Sequence, residues 1–395
     1  MSSQTIKVIW INIISLPTRL RSSIVAIVGS AGVVAVLVTV LAMAQGFEDA
    51  LKAPNQSNLF VILKGGATTE LVSNITSRSA LKLRQHSGIE KANTVSQFSS
   101  QLLVAISVPM IGRDADANVS LRGVDQSAYK LHHIHLLKGT LPTTGKREVI
   151  VGQRAAEQFE GLQVGSLIGS GTNSWKVVGI FDSQGSIHET EIIADVTMVQ
   201  NAFQRGNTYS SVHGKLSVSA GASIEQIQTL VENDPELDLV LFKADDYYAN
   251  QSESLSVFIK SIGYSTAFIM AIGAIFASLN TMYGSVSSRK REFGILRALG
   301  YSKLSIAISV FFESALLSLL GGLLGCVVVY LILNNYAVST FNMLSFSQVA
   351  FSFSVTKETM FEGLKWALII GSLGGCLPAL QVSKLTVAET MRKHH

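Results

Sequence analysis

The chain has 395 residues, of which 48% are hydrophobic and only 15% are charged. Soluble domains usually carry about 25% charged residues, so the composition argues against an ordinary soluble protein. The charge is unevenly distributed, because four segments are nearly free of it and the remainder is normal.

These four apolar segments are long enough to cross a bilayer, which takes about 20 residues. They are 24–44, 257–282, 305–333 and 361–382. We expect Pro378 to kink or end the fourth helix in its last turns. The first segment ends in Ala42-Met43-Ala44, which resembles a signal-peptide cleavage site, but a signal core has only about 7–15 apolar residues. We therefore interpret this segment as an uncleaved anchor, with cleavage as the less favoured alternative.

The distribution of Lys and Arg predicts the orientation of these segments. Segments 1–23, 283–304 and 383–395 together carry eleven basic and two acidic residues, whereas 45–256 carries 17 basic and 22 acidic residues. The positive-inside rule places the three basic segments in the cytoplasm, and 45–256 and the short loop 334–360 outside. Residues 1–23, with Trp10 among apolar neighbours, predict an amphipathic helix at the inner surface, with a frayed tail as the alternative.

Residues 45–256 predict a mixed α/β domain inserted between the first and second transmembrane helices, large enough for its own core. Gly-bounded apolar runs predict strands at 59–66, 148–152 and 175–182, and helical spacing occurs at 153–162 and 223–234. Residues 242–260 predict a helix that continues into the second span and couples the domain rigidly to the membrane. Both cysteines, Cys326 and Cys376, lie in spans, so we expect no disulfide in this domain.

The sequence motifs do not predict an enzyme. The stretch GTLPTTGKRE (139–148) resembles a P-loop, but five residues separate Gly139 from Gly145, and Arg147 stands where Mg²⁺ needs a hydroxyl. The stretch HHIH (132–135) suggests the start of a metal site, but the ligand set is incomplete and surface histidines are the favoured interpretation. We expect no catalytic, cofactor-binding or metal-binding residues on this chain.

Several residues predict close packing between the spans. Glu313 lies in the third span, where a carboxyl group is costly and has either a functional role or a structural one, in which it is protonated or hydrogen-bonded against a neighbouring helix. Gly321 and Gly325 on the third span, and Gly371 and Gly375 on the fourth, have the small-residue spacing that allows helices to approach closely.

The segment SSRKREFGILRALGYSKLS (287–305) combines basic charge with an apolar side. Its charges could serve only to fix orientation, but that leaves the apolar side unexplained, and an exposed apolar side predicts a partner. Gly300 is well placed to end the helix. The residues predicted to make the contact are Arg289, Lys290, Arg291, Glu292, Phe293, Gly294, Leu296, Arg297 and Gly300.

This segment, followed by FFESALLSLLGGLLG, resembles the core of the FtsX-like permeases of ABC transporters, in the MacB and LolC branch. Pro378-Ala379 and VAETMR are similar to the family's closing pattern, from which Val387 and Thr390 depart. The stretch LLKGTLPTTGKREVIVGQRAAEQF resembles the periplasmic core domain of these permeases more loosely.

The resemblance implies a multi-pass protein of the bacterial inner membrane with both termini in the cytoplasm. It implies that Arg289 to Arg297 and Gly300 dock on a separate ABC ATP-binding subunit, which would hold the ATP and Mg²⁺. Further expected partners are a second permease chain in a homo- or heterodimer, a periplasmic adaptor, an outer-membrane channel and membrane lipids. No nucleic acid is expected.

The function implied by the resemblance is mechanotransmission. ATP hydrolysis by the partner would move the outer domains, and that movement would export or extract a substrate from the periplasm or the outer leaflet. Two alternatives are a lipoprotein or lipid extractor of the LolC type and a non-transporting regulator of a periplasmic cell-wall hydrolase.

Overall fold

The computed structural model divides the chain into two compact units. The helical unit comprises Met1–Gly46, Ser256–Tyr336 and Phe353–His395, and the inserted domain comprises Phe47–Leu255 and Ala337–Ser352. The structure describes residues 5–6, 8, 10, 14, 20–51, 58–85, 95–112, 114–170, 173–216, 224–234, 236–342 and 346–384. Most of the predicted interfacial helix at 1–23, and most of the tail, lie outside the described residues.

The described residues form ten α-helices. In chain order they are α1 (Leu20–Leu51), α2 (Ser77–Arg84), α3 (Gln126–Leu131), α4 (Gln153–Gln158), α5 (Val196–Ala202), α6 (Ile224–Glu232), α7 (Ala244–Ser288), α8 (Lys290–Ala298), α9 (Lys303–Leu333) and α10 (Lys357–Lys384). Helices α1, α7, α9 and α10 are long and apolar enough to cross a membrane. Each contains one of the four predicted spans, which confirms that prediction.

The sequence predicts that Pro378 kinks or ends the fourth span. Helix α10 does not end at Pro378 but continues to Lys384. Proline interrupts a helix because it lacks an N–H and crowds the preceding turn. Within apolar helices it is tolerated where neighbouring groups satisfy the freed backbone, and Pro378 is buried inside the helical unit.

All of the described strands belong to the inserted domain. In chain order they are β1 (Leu59–Lys64), β2 (Ile75–Thr76), β3 (Val95–Pro109), β4 (Asp116–Val124), β5 (His135–Gly139), β6 (Glu148–Gly152), β7 (Leu167–Ser170), β8 (Asn173–Asp182), β9 (Ile192–Asp195), β10 (Thr208–Tyr209), β11 (Ser211–Leu216), β12 (Leu239–Lys243), β13 (Ala337–Asn342) and β14 (Ser347–Ser352). The strands predicted at 59–66, 148–152 and 175–182 are confirmed by β1, β6 and β8, and the helices predicted at 153–162 and 223–234 by α4 and α6.

Ten strands form one mixed sheet in the order β12-β1-β11-β3-β4-β9-β6-β8-β5, with β7 also paired to β8. Strand β3 joins the two halves of this sheet, because its first part pairs with β11 and its second part with β4. Each half has its own apolar core. One core is centred on Phe60, Ile62 and Leu241, and the other on Val119, Val151 and Trp175.

The loop predicted at 334–360 contains a β-hairpin. Strands β13 and β14 pair antiparallel over their full length. The hairpin packs on the rest of the inserted domain. Ser120 donates a hydrogen bond to Ser347 at 2.9 Å, and the rings of Phe47 and Phe351 meet edge to face with their centres 5.6 Å apart. The inserted domain is therefore completed by a second, distant part of the sequence.

Candidate functional site

The segment predicted to dock on a partner forms the short helix α8. Gly300 follows it with φ +92°, a left-handed conformation that glycine adopts at little cost, and this residue lets the chain turn. Ser302 then caps α9 by accepting a hydrogen bond from the Ser305 N–H at 3.1 Å. Local sequence therefore accounts for both ends of this turn.

One side of α8 packs against neighbouring helices of the helical unit. Phe293 is only 1% exposed and packs in a cluster with Met282 and Val286 of α7 and with Ile306 and Val310 of α9, while Leu296 packs against the same cluster. This corrects the expectation that Phe293 awaits an outside partner, because the chain itself buries it, whereas Leu296 is half-buried. An Asp substitution at Phe293 would damage this core and would not test docking.

Arg289 and Glu313 form a buried ion pair beside this cluster. The Arg289 Nη1 donates to Glu313 at 2.9 Å, and its Nε donates to Glu292 at 3.0 Å. Each residue of the Arg289–Glu313 pair is 5% exposed, and the guanidinium lies 4.9 Å from the centre of the Phe293 ring. The sequence predicts either a functional or a structural role for Glu313. The structure shows a structural contact, the ion pair with Arg289 within the chain.

The other side of α8 is exposed. Ile295 is 47% exposed and Leu299, four residues further, is 71% exposed. Among the predicted contact residues, Lys290, Arg291, Glu292 and Gly300 are exposed, Leu296 and Arg297 are half-buried, and Arg289, Phe293 and Gly294 are buried. The prediction omitted Ile295, which the spacing of four residues to Leu299 could have identified.

The four predicted packing glycines lie where helix backbones approach closely. A Cβ added to Gly321 or Gly325 would collide with the carbonyl oxygens of Ile27 or Ala31 on α1. A Cβ added to Gly371 or Gly375 would collide with α9, at Ser318 and Ala315 or at Ser314. Helix α9 therefore packs closely on α1 at Gly321 and Gly325, and α10 packs closely on α9 at Gly371 and Gly375.

The inserted domain contains a buried polar cluster that the motif search missed. Arg122 on β4 bonds both oxygens of Glu70, which follows β1, at 2.8 and 2.9 Å. It bonds both oxygens of Glu191, which precedes β9, at 2.8 and 2.9 Å, and donates to Gln101 on β3 at 2.9 Å. Paired bonds of this kind have a strict geometry, so Arg122 ties the two halves of the sheet together. The signal in the sequence was an arginine inside an otherwise buried strand.

Three histidines surround this arginine. His213 lies 2.9 Å from Glu70, and His188 lies 2.9 Å from Glu191. The ring of His132 is 4.1 Å from that of His188 and 5.2 Å from that of His213, measured between centres. The expectation of surface histidines in 132–135 is thus wrong for His132, which is buried, and holds for the exposed His135. No group of three metal-ligating side chains is arranged for a metal among the described residues.

The charges in the cluster perturb one another. Burial acts to raise the pKa of Glu191, but the charges and hydrogen bonds of Arg122 and His188 together outweigh it and lower that pKa to about 2. The same balance holds the pKa of Glu70 well below its usual value. Burial lowers the pKa of both His132 and His213. The cluster therefore favours ionised carboxylates and neutral rings at His132 and His213.

The comparisons with known families match both units. The family described as MacB-like periplasmic core domain matches residues 23–234, and the FtsX-like permease C-terminal family matches residues 264–387. A crystal structure of the periplasmic region of MacB from Actinobacillus actinomycetemcomitans is 14% identical, covers 48% of this chain and 91% of that chain, and has a TM-score of 0.38.

Individual relatives are 22–25% identical to this chain. An uncharacterized ABC transporter permease of Methanocaldococcus jannaschii is 25% identical over 58% of this chain and 58% of its own length. The macrolide export ATP-binding/permease protein MacB of Bradyrhizobium diazoefficiens is 25% identical over 57% of this chain and 37% of its own length. The chain thus spans less than two thirds of both proteins. The uncharacterized ABC transporter permease YknZ of Bacillus subtilis is 22% identical over 90% of this chain and 91% of its own length.

Proposed function

The chain belongs to the family of FtsX-like ABC transporter permeases of the MacB type, and from that premise we propose that it couples ATP hydrolysis by a separate ATP-binding subunit to movement of its inserted domain. That movement exports or extracts a substrate from the periplasm or the outer leaflet. In this proposal α8 lies in the cytoplasm, the inserted domain lies outside the inner membrane, and two permease chains work together.

The exposed side of α8 is the observation that supports this proposal. It presents Ile295 and Leu299 as an apolar pair, with the exposed cations Lys290 and Arg291 one turn away. An amphipathic helix binds a partner by laying such a pair into an apolar groove. The partner surface that fits is therefore an apolar groove with an acidic rim, which we assign to the ATP-binding subunit.

Substitution on this exposed side tests the assignment. Full-length chains with Ile295→Asp or Leu299→Asp are purified from native membranes, and vanadate-sensitive ATP hydrolysis in the purified sample is measured. The control is Val72→Asp, since Val72 is a similarly exposed apolar residue in the inserted domain. We expect the two α8 variants to lose the associated hydrolysis and the control to retain it. Retention of normal hydrolysis by the Leu299 variant would rule out this face as the docking surface.

A further inference from the structure

We infer that Arg289 is a positioning residue, which sets the rotation of α8 about its axis and so keeps Ile295 and Leu299 on the outer side. It does so by joining the first turn of α8 to the interior of α9 through Glu313. The purpose of this arrangement rests on the proposed docking function, but the contact itself can be tested without a partner.

The bonds of Arg289 connect two different helices. The residue stands at the N-cap of α8, where its side chain makes no capping bond. Its guanidinium instead donates to Glu292 in the first turn of α8 and to Glu313 in α9. Glu313 is the eleventh residue of α9, about 15 Å along the axis from the start of that helix at 1.5 Å per residue. The link therefore anchors α8 deep along α9.

Apolar packing alone would specify this rotation poorly. The inner side of α8 rests on Phe293 and Leu296, and such contacts tolerate small rotations because hydrophobic attraction has no direction. A buried ion pair has one favourable geometry, and losing it leaves a charge without a counterion in the interior. Such pairs add little net stability but can specify a single arrangement.

The position of Phe293 makes the link more specific. The Arg289 guanidinium lies over its ring, a placement in which the cation is attracted to the ring face. Both residues belong to α8, so this contact fixes the guanidinium relative to its own helix. With the guanidinium held in this way, it reaches Glu313 of α9 only when α8 has the orientation in which Leu299 is on the exposed side.

Spin labelling measures this orientation directly. The full chain, with Cys326→Ala and Cys376→Ala, receives Leu299→Cys and a nitroxide label, and is studied in lipid bilayers by electron paramagnetic resonance. We expect Arg289→Gln or Glu313→Gln to broaden the distribution of label mobility. Lys290→Gln, which changes an exposed neighbouring cation, should leave the spectrum unaltered.

The outcomes separate this inference from the docking proposal. If Glu313→Gln leaves the label as ordered as in the parent chain, Arg289 does not position α8. If Arg289→Gln fails to fold, the milder Arg289→Lys is used, since lysine keeps the charge but cannot hold both carboxylates in a fixed fork. Normal ATPase association in an Arg289→Gln chain whose label has become disordered would contradict only the docking surface.

Discussion

Arg122 lies 2.8 Å from Glu191 and 2.8 Å from Glu70, so one buried cation bridges carboxylates from the two halves of the inserted sheet. Glu70 follows β1, Glu191 precedes β9, and the bridging strand β3 contributes Gln101. Since the two halves have separate apolar cores, this cluster is a major polar connection between them.

Replacing the arginine should therefore destabilise the inserted domain strongly. Arg122→Met leaves two buried carboxylates without their counterion, and breaking a buried pair costs about 3–5 kcal/mol. The free energy of unfolding is measured by urea titration of the full chain in micelles, with Trp175 as the fluorescent reporter after Trp10→Phe and Trp366→Phe.

The matched control for this prediction is Lys82→Met. Lys82 also contacts two carboxylates, those of Asp234 and Glu236, but its side chain is 39% exposed, and exposed pairs contribute about 0–1 kcal/mol. An equal loss of unfolding free energy in the two variants would show that Arg122 contributes no more to stability than an exposed ion pair does.

Acidification should destabilise the same domain in two stages. The pKa values of His132 and His213 are lowered by burial from an ordinary 6.5, so the folded state favours neutral rings and loses stability as the pH falls below that value. The pKa of Glu191 is lowered from 4.5 to about 2, so its contribution is present above pH 4.5 and is lost as the pH falls towards 2. That contribution is about 3 kcal/mol at 1.36 kcal/mol per pKa unit.

Urea midpoints between pH 7.5 and 5.5 test the first stage. We expect the midpoint to fall with pH in the parent chain and to fall less steeply in His213→Gln. His135→Gln removes an exposed imidazole and should keep the parental slope. If the urea midpoint changes with pH as steeply in His213→Gln as in His135→Gln, the buried His213 ring does not govern the pH dependence.

Properties that depend on nearby residues were predictable from the sequence. Span lengths follow from continuous apolar runs, and the turn after α8 follows from Gly300. The glycine positions on α9 and α10 were predicted from spacing within a single helix. Their contact partners on α1 and α9 were not, because no local pattern says which helices become neighbours.

Contacts between distant residues were beyond local patterns. Arg122 meets Glu70 across 52 positions, and Ser120 meets Ser347 across 227. Even the pair Arg289 and Glu313, 24 positions apart, required knowledge of how α8 folds back on α9. The sequence therefore predicted correctly that residues 287–305 contain an amphipathic helix. It did not show that the Phe293 side of this helix packs inside the chain and not on a partner.

Close contact between α9 and α10 predicts that added volume at Gly371 is destabilising. Gly371→Leu would drive a side chain into Ala315 and Ser318 of α9, and overpacking of a dense interior costs about 1–3 kcal/mol or more. Gly273→Leu is the matched control, because a Cβ at Gly273 on α7 meets no atom within 4 Å. Leucine has a higher helix propensity than glycine, so the control should be neutral or slightly stabilised. Thermal denaturation midpoints of the purified chains in detergent separate the two variants, and equal midpoints would show that α10 does not depend on close approach at Gly371.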